Sequence, residues 1–309
     1  MVNVLFAAGG HRWRQYERPL REALARAGVK AKPSPDLDPG AADYVIYAPN
    51  PEFRDFRRCP HAKAVMSLWA GVEEILANST LTQPLTRMVD SGLTEGMVEW
   101  VVGHVLRHHL GMDSHIVNPD HIWNFDPPPL ARDRRVAILG LGELGSACAR
   151  ALAALNFGVM GWSRRPKRID GVTCLQGRDG LKRILASADT LVLLLPLTPA
   201  TQNLLDARTM ALLPDGVILL NPGRGGLIDD EALLVALDAG RIAHATLDVF
   251  REEPLPNGHP FWKHPGVTVT PHQASETRPG SASDLIAENI RRCEANEPML
   301  HLVDRKAGY

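Results

Sequence analysis

Three apolar runs in the C-terminal half of the sequence are each followed by a residue whose side chain can carry a charge or donate a proton. Arg224 follows the first run, Glu253 the second and His272 the third. An arginine can bind a carboxylate and polarise a carbonyl, a histidine can donate a proton, and a glutamate can orient an imidazole. This set suits the reduction of a 2-keto acid. Taken singly, each residue has a plainer explanation: an ion-pair partner, a loop histidine, or a solvated acidic turn at Glu252–Glu253.

A glycine-rich turn precedes these residues in the chain. Gly140, Gly142 and Gly145 form a GxGxxG pattern between the apolar run Arg135–Leu139 and an Ala/Leu-rich helical pattern. In this setting the first glycine permits a tight turn, the second lets the backbone approach a pyrophosphate, and the third lets helix and strand pack closely. The helix N-terminus then offers free N–H groups to the phosphates. The alternative is a glycine-rich turn without a ligand. The residues predicted to hold the pyrophosphate are Gly140, Gly142, Glu143, Leu144 and Gly145.

The end of the following strand carries two cations where such sites usually have an acid. Val159–Trp162 is followed by Ser163, Arg164 and Arg165. An acid would bind the 2′-hydroxyl of NAD and repel a 2′-phosphate, whereas a serine removes the repulsion and guanidinium groups suit a phosphate. The sequence therefore predicts NADP rather than NAD. The alternative is a solvated basic turn.

The elements that position these residues are short runs rich in Val, Ile and Leu, typical of parallel strands buried on both faces. Because they alternate with helical patterns, we predict an α/β fold: two doubly wound parallel-sheet domains, Rossmann-like and flavodoxin-like, with a cleft between them. Ligands bind beyond the carboxyl ends of such strands, which would bring the polar residues together. The predicted strands are Val2–Ala7, Tyr44–Ala48, Ala64–Leu68, Arg135–Leu139, Val159–Trp162, Thr190–Leu195, Val217–Asn221, Ala243–Asp248 and Val267–Thr270.

One long helical pattern, Thr94–Leu110, indicates where the domains divide, and a Pro-rich stretch, DPPPLARD, comes after it. We predict that residues 97–275 form an NADP-binding Rossmann domain. Residues 1–96 and 276–309 would form a discontinuous substrate domain, to which the helical tail Ser281–Asn296 returns.

Composition limits the function classes. The chain has 309 residues, 45% of them hydrophobic, and a net charge of −1. Its length predicts about two domains, and its charge gives no indication of a nucleic-acid or membrane partner. The four cysteines show no CxxC pair or metal-ligand spacing, which favours idle thiols in a reducing compartment and no metal site. No apolar run reaches the roughly 18 residues of a membrane span, and MVNVLFAAGG lacks a basic leader, so we expect a cytoplasmic protein.

Several motifs together carry a family resemblance. NPGRG, LDVFREEPLP and TPHQA follow the GxGxxG turn in that order. With it they resemble the D-isomer-specific 2-hydroxyacid dehydrogenases over essentially the whole chain. The SRR and LLPLTP segments and the tail VDRKAGY are most similar to the glyoxylate/hydroxypyruvate reductase A branch. The resemblance implies hydride transfer from NADPH to C2 of glyoxylate or hydroxypyruvate, and a homodimer paired through the nucleotide domain near Trp100.

The resemblance also implies roles for particular residues. The family's catalytic set falls on Arg224, Glu253 (rather than Glu252) and His272. The substrate carboxylate would meet backbone N–H groups of the loop that contains Trp69, Ala70 and Gly71, together with Arg224 and His272. Pro196 and Asp248 would contact the cofactor. Two departures concern the pocket: Trp69 replaces a small residue of many relatives, and Pro222-Gly223 precedes Arg224 where many have an alanine.

Two rival functions stand beside this prediction. Transcriptional corepressors share the fold, so a nucleotide-sensing binding protein is one alternative, although the presence of Arg224, Glu253 and His272 favours an enzyme. An NAD-linked dehydrogenase of a larger D-2-hydroxy acid is the other, and the turn at Ser163, Arg164 and Arg165 argues against it.

Overall fold

The computed structural model describes residues 1–308, which divide into two compact units. The first unit consists of Met1–Leu93 and the segment from Glu276 onward, and the second is Thr94–Ser275. The strands are β1 (Val2–Ala7), β2 (Ala31–Ser34), β3 (Tyr44–Tyr47), β4 (Ala64–Ser67), β5 (Leu85–Thr86), β6 (Arg135–Leu139), β7 (Gly158–Trp162), β8 (Val172–Leu175), β9 (Thr190–Leu193), β10 (Val217–Asn221), β11 (Ile242–Leu247) and β12 (Val267–Val269). The α-helices are α1 (Gly10–Arg26), α2 (Glu73–Leu76), α3 (Ser91–His109), α4 (Met112–Ile116), α5 (Glu143–Ala154), α6 (Gly177–Leu185), α7 (Ala207–Met210), α8 (Asp230–Asp238) and α9 (Pro279–Glu294).

The sheet of the first unit has the strand order β2-β1-β3-β4-β5, and every pairing is parallel. Successive side chains of a strand point to opposite faces, so each buried strand contributes side chains to a core on either face of the sheet. Phe6 and Ile46 pack on one face with α1 and α9, whereas Leu5 and Val45 pack on the other with Phe56. The sheet is therefore buried on both sides.

The sheet of the second unit has the order β12-β11-β10-β9-β6-β7-β8 and is also parallel throughout. One of its cores contains Leu233 of α8 and Ile184 of α6; the opposite core contains Val101 of α3 and Leu152 of α5. The strand order reverses between β6 and β9, which is where open α/β sheets bind dinucleotides. The predicted fold class of two parallel-sheet α/β domains is confirmed.

The predicted elements differ from the structure mainly at their ends. The bounds of β1, β6 and β10 are confirmed, but β9 ends at Leu193, two residues earlier than predicted. Leu195 stays buried in the core although it lies beyond the ladder. Helix α9 begins at Pro279, in the first helical turn, where a proline loses no hydrogen bond. No helix of residues 1–308 is long and apolar enough to cross a membrane.

Candidate active site

Glu253 and His272 meet at one edge of the second unit's sheet. Nδ1 of His272 lies 2.7 Å from Oε2 of Glu253. The other oxygen of Glu253 accepts a hydrogen bond of 2.8 Å from the backbone N–H of Phe250, three residues earlier. Both carboxylate oxygens are thus engaged, and Nε2 is the ring nitrogen of His272 that can meet a substrate. The His272 side chain is 53% exposed, which leaves it accessible.

The loop that carries His272 is held by Asp248, the residue that follows β11. Oδ1 of Asp248 accepts hydrogen bonds from the hydroxyl of Thr270 and the N–H of Gln273, and Oδ2 accepts one from the N–H of Ala274. Its carbonyl accepts the N–H of His272, which adopts a left-handed φ of 49°. Asp248 is only 1% exposed, so these bonds are shielded from water. The cofactor contact expected of Asp248 stays a prediction; the structure shows that its carboxylate fixes the loop that carries His272.

Arg224 follows β10, next to β11 in the sheet, and is partly buried. Its backbone is fixed by Asn221, whose side chain accepts the N–H of Gly223 and donates to the carbonyl of Arg224. Nη1 of Arg224 donates to the carbonyl of Gly223 over 2.7 Å. Because β10, β11 and β12 are neighbours, Arg224, Glu253 and His272 all lie at the carboxyl edge of the same sheet.

The glycine turn occupies the switch point of this sheet and fits a dinucleotide. Gly140 has a φ of +111°, and a Cβ there would lie 2.4 Å from the carbonyl oxygen of Leu194. A Cβ on Gly145 would lie 1.8 Å from the carbonyl oxygen of Gly140, whereas one on Gly142 would meet open space. No side chain caps α5, so its first N–H groups remain available to an anion. The residues with these N–H groups are Gly142, Glu143, Leu144 and Gly145.

The turn after β7 presents its cations to solvent. Arg164 and Arg165 are exposed, whereas Ser163 is 8% exposed. The Ser163 hydroxyl donates to the carbonyl of Arg165 over 2.7 Å, so it shapes the turn and offers a phosphate no free hydrogen. The exposed guanidinium groups of Arg164 and Arg165 are of the type that suits an anion. After β9, the carbonyl of Pro196 accepts the hydroxyl of Thr201 over 2.7 Å, which fixes that loop at the same edge of the sheet.

The loop after β4 lies in the first unit and has the character of an anion-binding loop. The hydroxyl of Ser67 accepts the N–H of Trp69 and donates to its carbonyl. Within residues 1–308, no acceptor bonds to the N–H of Ala70 or Gly71. The Trp69 side chain is partly buried against the core beside α1 and α9. The loop therefore exposes two adjacent N–H donors beside a rigidly held aromatic ring.

Comparison with known proteins identifies the family. The profile described as D-isomer specific 2-hydroxyacid dehydrogenase, NAD binding domain, matches residues 103–274. A glyoxylate/hydroxypyruvate reductase A from Yersinia enterocolitica is 37% identical over 317 residues, covering 100% of both proteins. The chain belongs to the D-isomer-specific 2-hydroxyacid dehydrogenase family. The family resemblance predicted from the motifs is thus confirmed.

Two solved structures of this dehydrogenase family match the fold of this protein along the whole chain. A family member from Xanthobacter autotrophicus Py2, in complex with NADPH and MES, is 38% identical with a TM-score of 0.91. It covers 100% of this chain and 99% of its own. An NADPH-dependent glyoxylate/hydroxypyruvate reductase from Sinorhizobium meliloti, in complex with NADP and sulfate, is 34% identical with a TM-score of 0.88 and full coverage of both chains.

Some residues that shape this dehydrogenase site were not predicted from the sequence. Asn221 and Thr270 hold the loops that carry Arg224 and His272 through side-chain hydrogen bonds. Each is a polar residue at the end of an otherwise apolar run, and this position was the signal available in the sequence. Residues 1–308 contain no group of three or more His, Cys, Asp or Glu side chains arranged to hold a metal ion.

Proposed function

We propose that this protein is an NADPH-dependent reductase of small 2-keto acids that converts glyoxylate to glycolate and hydroxypyruvate to glycerate. The contact between His272 and Glu253 carries the proposal, because it provides an oriented proton donor at the sheet edge that also bears the glycine turn. The names of relatives that span the whole chain support the same substrates.

In the proposed mechanism, His272 is the acid and Arg224 the electrostatic partner of the substrate carbonyl. NADPH, held by the glycine turn, would supply the hydride for C2. As the C=O bond is reduced, Nε2 of His272 gives its proton to the oxygen, and Glu253 holds the ring through Nδ1. The Arg224 guanidinium stabilises the negative charge that develops on that oxygen. The product is the 2-hydroxy acid.

We assign cofactor binding to the second unit and the substrate carboxylate to the loop after β4. Gly142 to Gly145 would hold the pyrophosphate, and Pro196 and Asp248 would lie near the nicotinamide. Arg164 and Arg165, in a turn shaped by Ser163, would hold the 2′-phosphate, as two structures of relatives contain NADP or NADPH. The N–H groups of Ala70 and Gly71 suit a carboxylate. Trp69 beside them would limit the size of the substrate side chain.

Initial rates test this function directly. Glyoxylate, hydroxypyruvate and larger 2-keto acids are each reduced with NADPH and with NADH, and the values of kcat/KM are compared. We expect the two small acids with NADPH to give the highest values. His272→Ala should lower kcat by roughly 10²–10⁴-fold with little change in NADPH affinity. A wild type that binds NADPH but reduces none of the acids would favour a nucleotide-sensing protein. A preference for NADH and larger acids would favour an NAD-linked dehydrogenase of a larger D-2-hydroxy acid.

We also propose that the protein is a homodimer paired through the second unit, with neither nucleic acid nor a membrane as partner. The supporting feature is an apolar arm, residues 112–130, that follows the helix α3 containing Trp100. Its large side chains are mostly in solvent: Ile116, Val117, Ile122, Trp123, Phe125 and Leu130 are each at least 59% exposed. So many exposed large apolar side chains within one segment favour a protein interface. The free thiols of the four cysteines support a cytoplasmic location.

The oligomeric state is tested by light scattering after chromatography. We expect wild type to be a dimer and Trp123→Ser with Phe125→Ser to be a monomer. Trp262→Ser is the matched control, because Trp262 is an aromatic residue that is 50% exposed outside the arm. A monomeric wild type contradicts the proposal.

A further inference from the structure

Arg251 lies two residues before Glu253, and its guanidinium group joins separate segments of the second unit. Nη2 donates hydrogen bonds to Oδ1 of Asn203 and to the carbonyl of Ile228. Nε lies 3.5 Å from Oδ1 of Asp230. Asn203 belongs to the segment after β9, and Ile228 and Asp230 to the segment after β10. One side chain thus connects the loop after β11 to the loops that follow two other strands.

The loop that carries Glu253, residues 249–256, also touches the segment of Arg224 through its backbone. Gly225 comes directly after Arg224, and a Cβ on it would lie 2.0 Å from the carbonyl carbon of Phe250 and 2.5 Å from the N atom of Arg251. Only a glycine allows this approach. The two segments therefore lie backbone against backbone, with the Arg251 side chain reaching across to fasten them.

Packing on the other side of this loop is incomplete, although Leu255 is buried in the apolar core. A cavity of about 180 Å³ adjoins it, lined by Asp230, Phe250, Arg251, Glu252, Leu255, Pro256 and His259. Where a cavity replaces packed atoms, the dispersion contacts that would restrain the chain are missing. Nε2 of His259 lies 4.0 Å from Oδ2 of Asp230. Burial raises the pKa of Asp230, while the charge of Arg251 opposes that rise. The polar bonds of Arg251 restrain the loop on the side where packing is incomplete.

We propose that Arg251 is a positioning residue for the reaction, because it fixes the Glu253 loop relative to the segment of Arg224. This inference rests on the proposed reductase function. Glu253 must keep its bonds to the Phe250 N–H and to His272, at 2.8 and 2.7 Å, for the imidazole to stay oriented. A displacement of about 1 Å at such a contact can cost about 10²-fold in rate. Arginine suits the task because its planar group presents five donors in a fixed fork.

The first test compares Arg251→Ala with Arg241→Ala. Arg241 is a matched control at the opposite end of β11: its side chain is 38% exposed against 36% for Arg251, it donates to the carbonyl of Leu213, and it pairs with Asp215. We expect Arg251→Ala to lower kcat at least about tenfold, with KM for NADPH nearly unchanged. Arg251→Lys should recover part of the loss, and Arg241→Ala should match wild type. Equal kcat in Arg251→Ala and wild type overturns the proposal.

A double-mutant cycle with Glu253→Gln separates positioning from a general loss of stability. If Arg251 acts through Glu253, replacing Glu253 costs less in the Arg251→Ala background than in wild type. Multiplicative effects on kcat mean that Arg251 does not act through Glu253. Asn203→Gly removes one acceptor of Arg251 while tolerating the left-handed φ of 51° at that position, and should cause a smaller loss.

Amide hydrogen exchange provides a readout that needs no turnover. We expect Arg251→Ala to accelerate exchange over residues 249–256, including the Phe250 N–H that bonds to Glu253, and Arg241→Ala to leave it unchanged. If wild type reduces none of the acids, the proposed function fails, yet faster exchange still supports the anchoring of the loop. Unchanged exchange in Arg251→Ala overturns the anchoring whatever the activity.

Discussion

Nδ1 of His272 lies 2.7 Å from Oε2 of Glu253, although nineteen residues separate them and they follow different strands. The contact exists because β11 and β12 are parallel neighbours and their carboxyl ends meet at one sheet edge. The Phe250 N–H holds the second carboxylate oxygen, so Glu253 cannot rotate without losing a hydrogen bond. These bonds therefore hold the imidazole in one orientation before any substrate binds.

Glu253→Gln tests the orienting role. Glutamine retains the size of the side chain but can offer only one acceptor oxygen, so it cannot satisfy both Phe250 and His272 as an acceptor. We expect kcat to fall on the order of 10- to 100-fold with NADPH affinity preserved. Glu252→Gln is the matched control, since this neighbouring acid lines the cavity and does not contact His272. If Glu252→Gln proves the more damaging change, the assignment of Glu253 is wrong.

The basic turn after β7 provides a test of cofactor choice. A charge-assisted hydrogen bond contributes roughly 1.5–3 kcal/mol net, and the exposure of Arg164 and Arg165 favours the lower end. Arg164→Ala with Arg165→Ala should therefore weaken NADPH binding about tenfold or more and leave NADH binding unchanged. The control is Lys167→Ala with Arg168→Ala, which removes two exposed cations of the same run. Equal weakening by both double variants would mean that only general charge matters.

The sequence was most informative where strands are buried on both faces. The runs of β1, β6 and β10 are continuous in apolar residues, and their bounds match the structure. The strands that were missed, β2, β5 and β8, lie at sheet edges. An edge strand pairs on one side only. β2 contains Pro33, every residue of β8 is at least partly exposed, and β5 is buried but only two residues long, so none of the three offers a long apolar run.

The sequence predicts which strand ends carry the candidate site residues, but it does not predict the conformations of the loops that follow. Parallel topology alone brings Arg224, Glu253 and His272 to one edge, and the motifs single out all three as candidates. The contacts of Arg251 join segments 23 and 48 residues away, between loops whose conformations no local pattern determines. Ser163 was expected to remove the repulsion of a 2′-phosphate, but the bond of its hydroxyl to the carbonyl of Arg165 depends on how the turn folds.

Asp248→Asn tests whether the buried carboxylate builds the catalytic loop. Asn has one acceptor oxygen, whereas Asp248 accepts three hydrogen bonds at a site that is 1% exposed. A donor NH2 group would therefore oppose the N–H groups of the loop. We expect a loss on the order of 1–3 kcal/mol in the free energy of unfolding, together with a lower kcat. Denaturant titration measures the first. Unchanged stability would show that these bonds contribute nothing net.

A partly buried histidine pair predicts how stability depends on pH. His108 on α3 and His244 on β11 have ring centroids 4.8 Å apart, and each ring bonds to a threonine, Thr246 and Thr268 respectively. Burial lowers the pKa of His108 to about 4, helped by the nearby charge of His244. Burial likewise lowers the pKa of His244. The charged and titratable groups that face the pair are Arg107, Asp113, His104 and His264.

The sign of the effect follows from where the proton binds. Below an ordinary pKa of about 6.5 the unfolded chain protonates His108, while the folded protein resists until about pH 4. Stability from this group is therefore complete above about pH 6.5 and is lost as pH falls to about 4. The loss is at most on the order of 3 kcal/mol, since one pKa unit equals about 1.4 kcal/mol.

His108→Gln should flatten this part of the stability curve. Glutamine has no proton to gain in this range and can keep a hydrogen bond to Thr246, so the free energy of unfolding should fall less between pH 6.5 and 4 than in wild type. His115→Gln changes an exposed histidine on α4 and should leave the slope as it is. The measurement is urea unfolding at several pH values in one buffer series. Parallel curves for wild type and His108→Gln would mean that other groups cause the loss of stability at acidic pH.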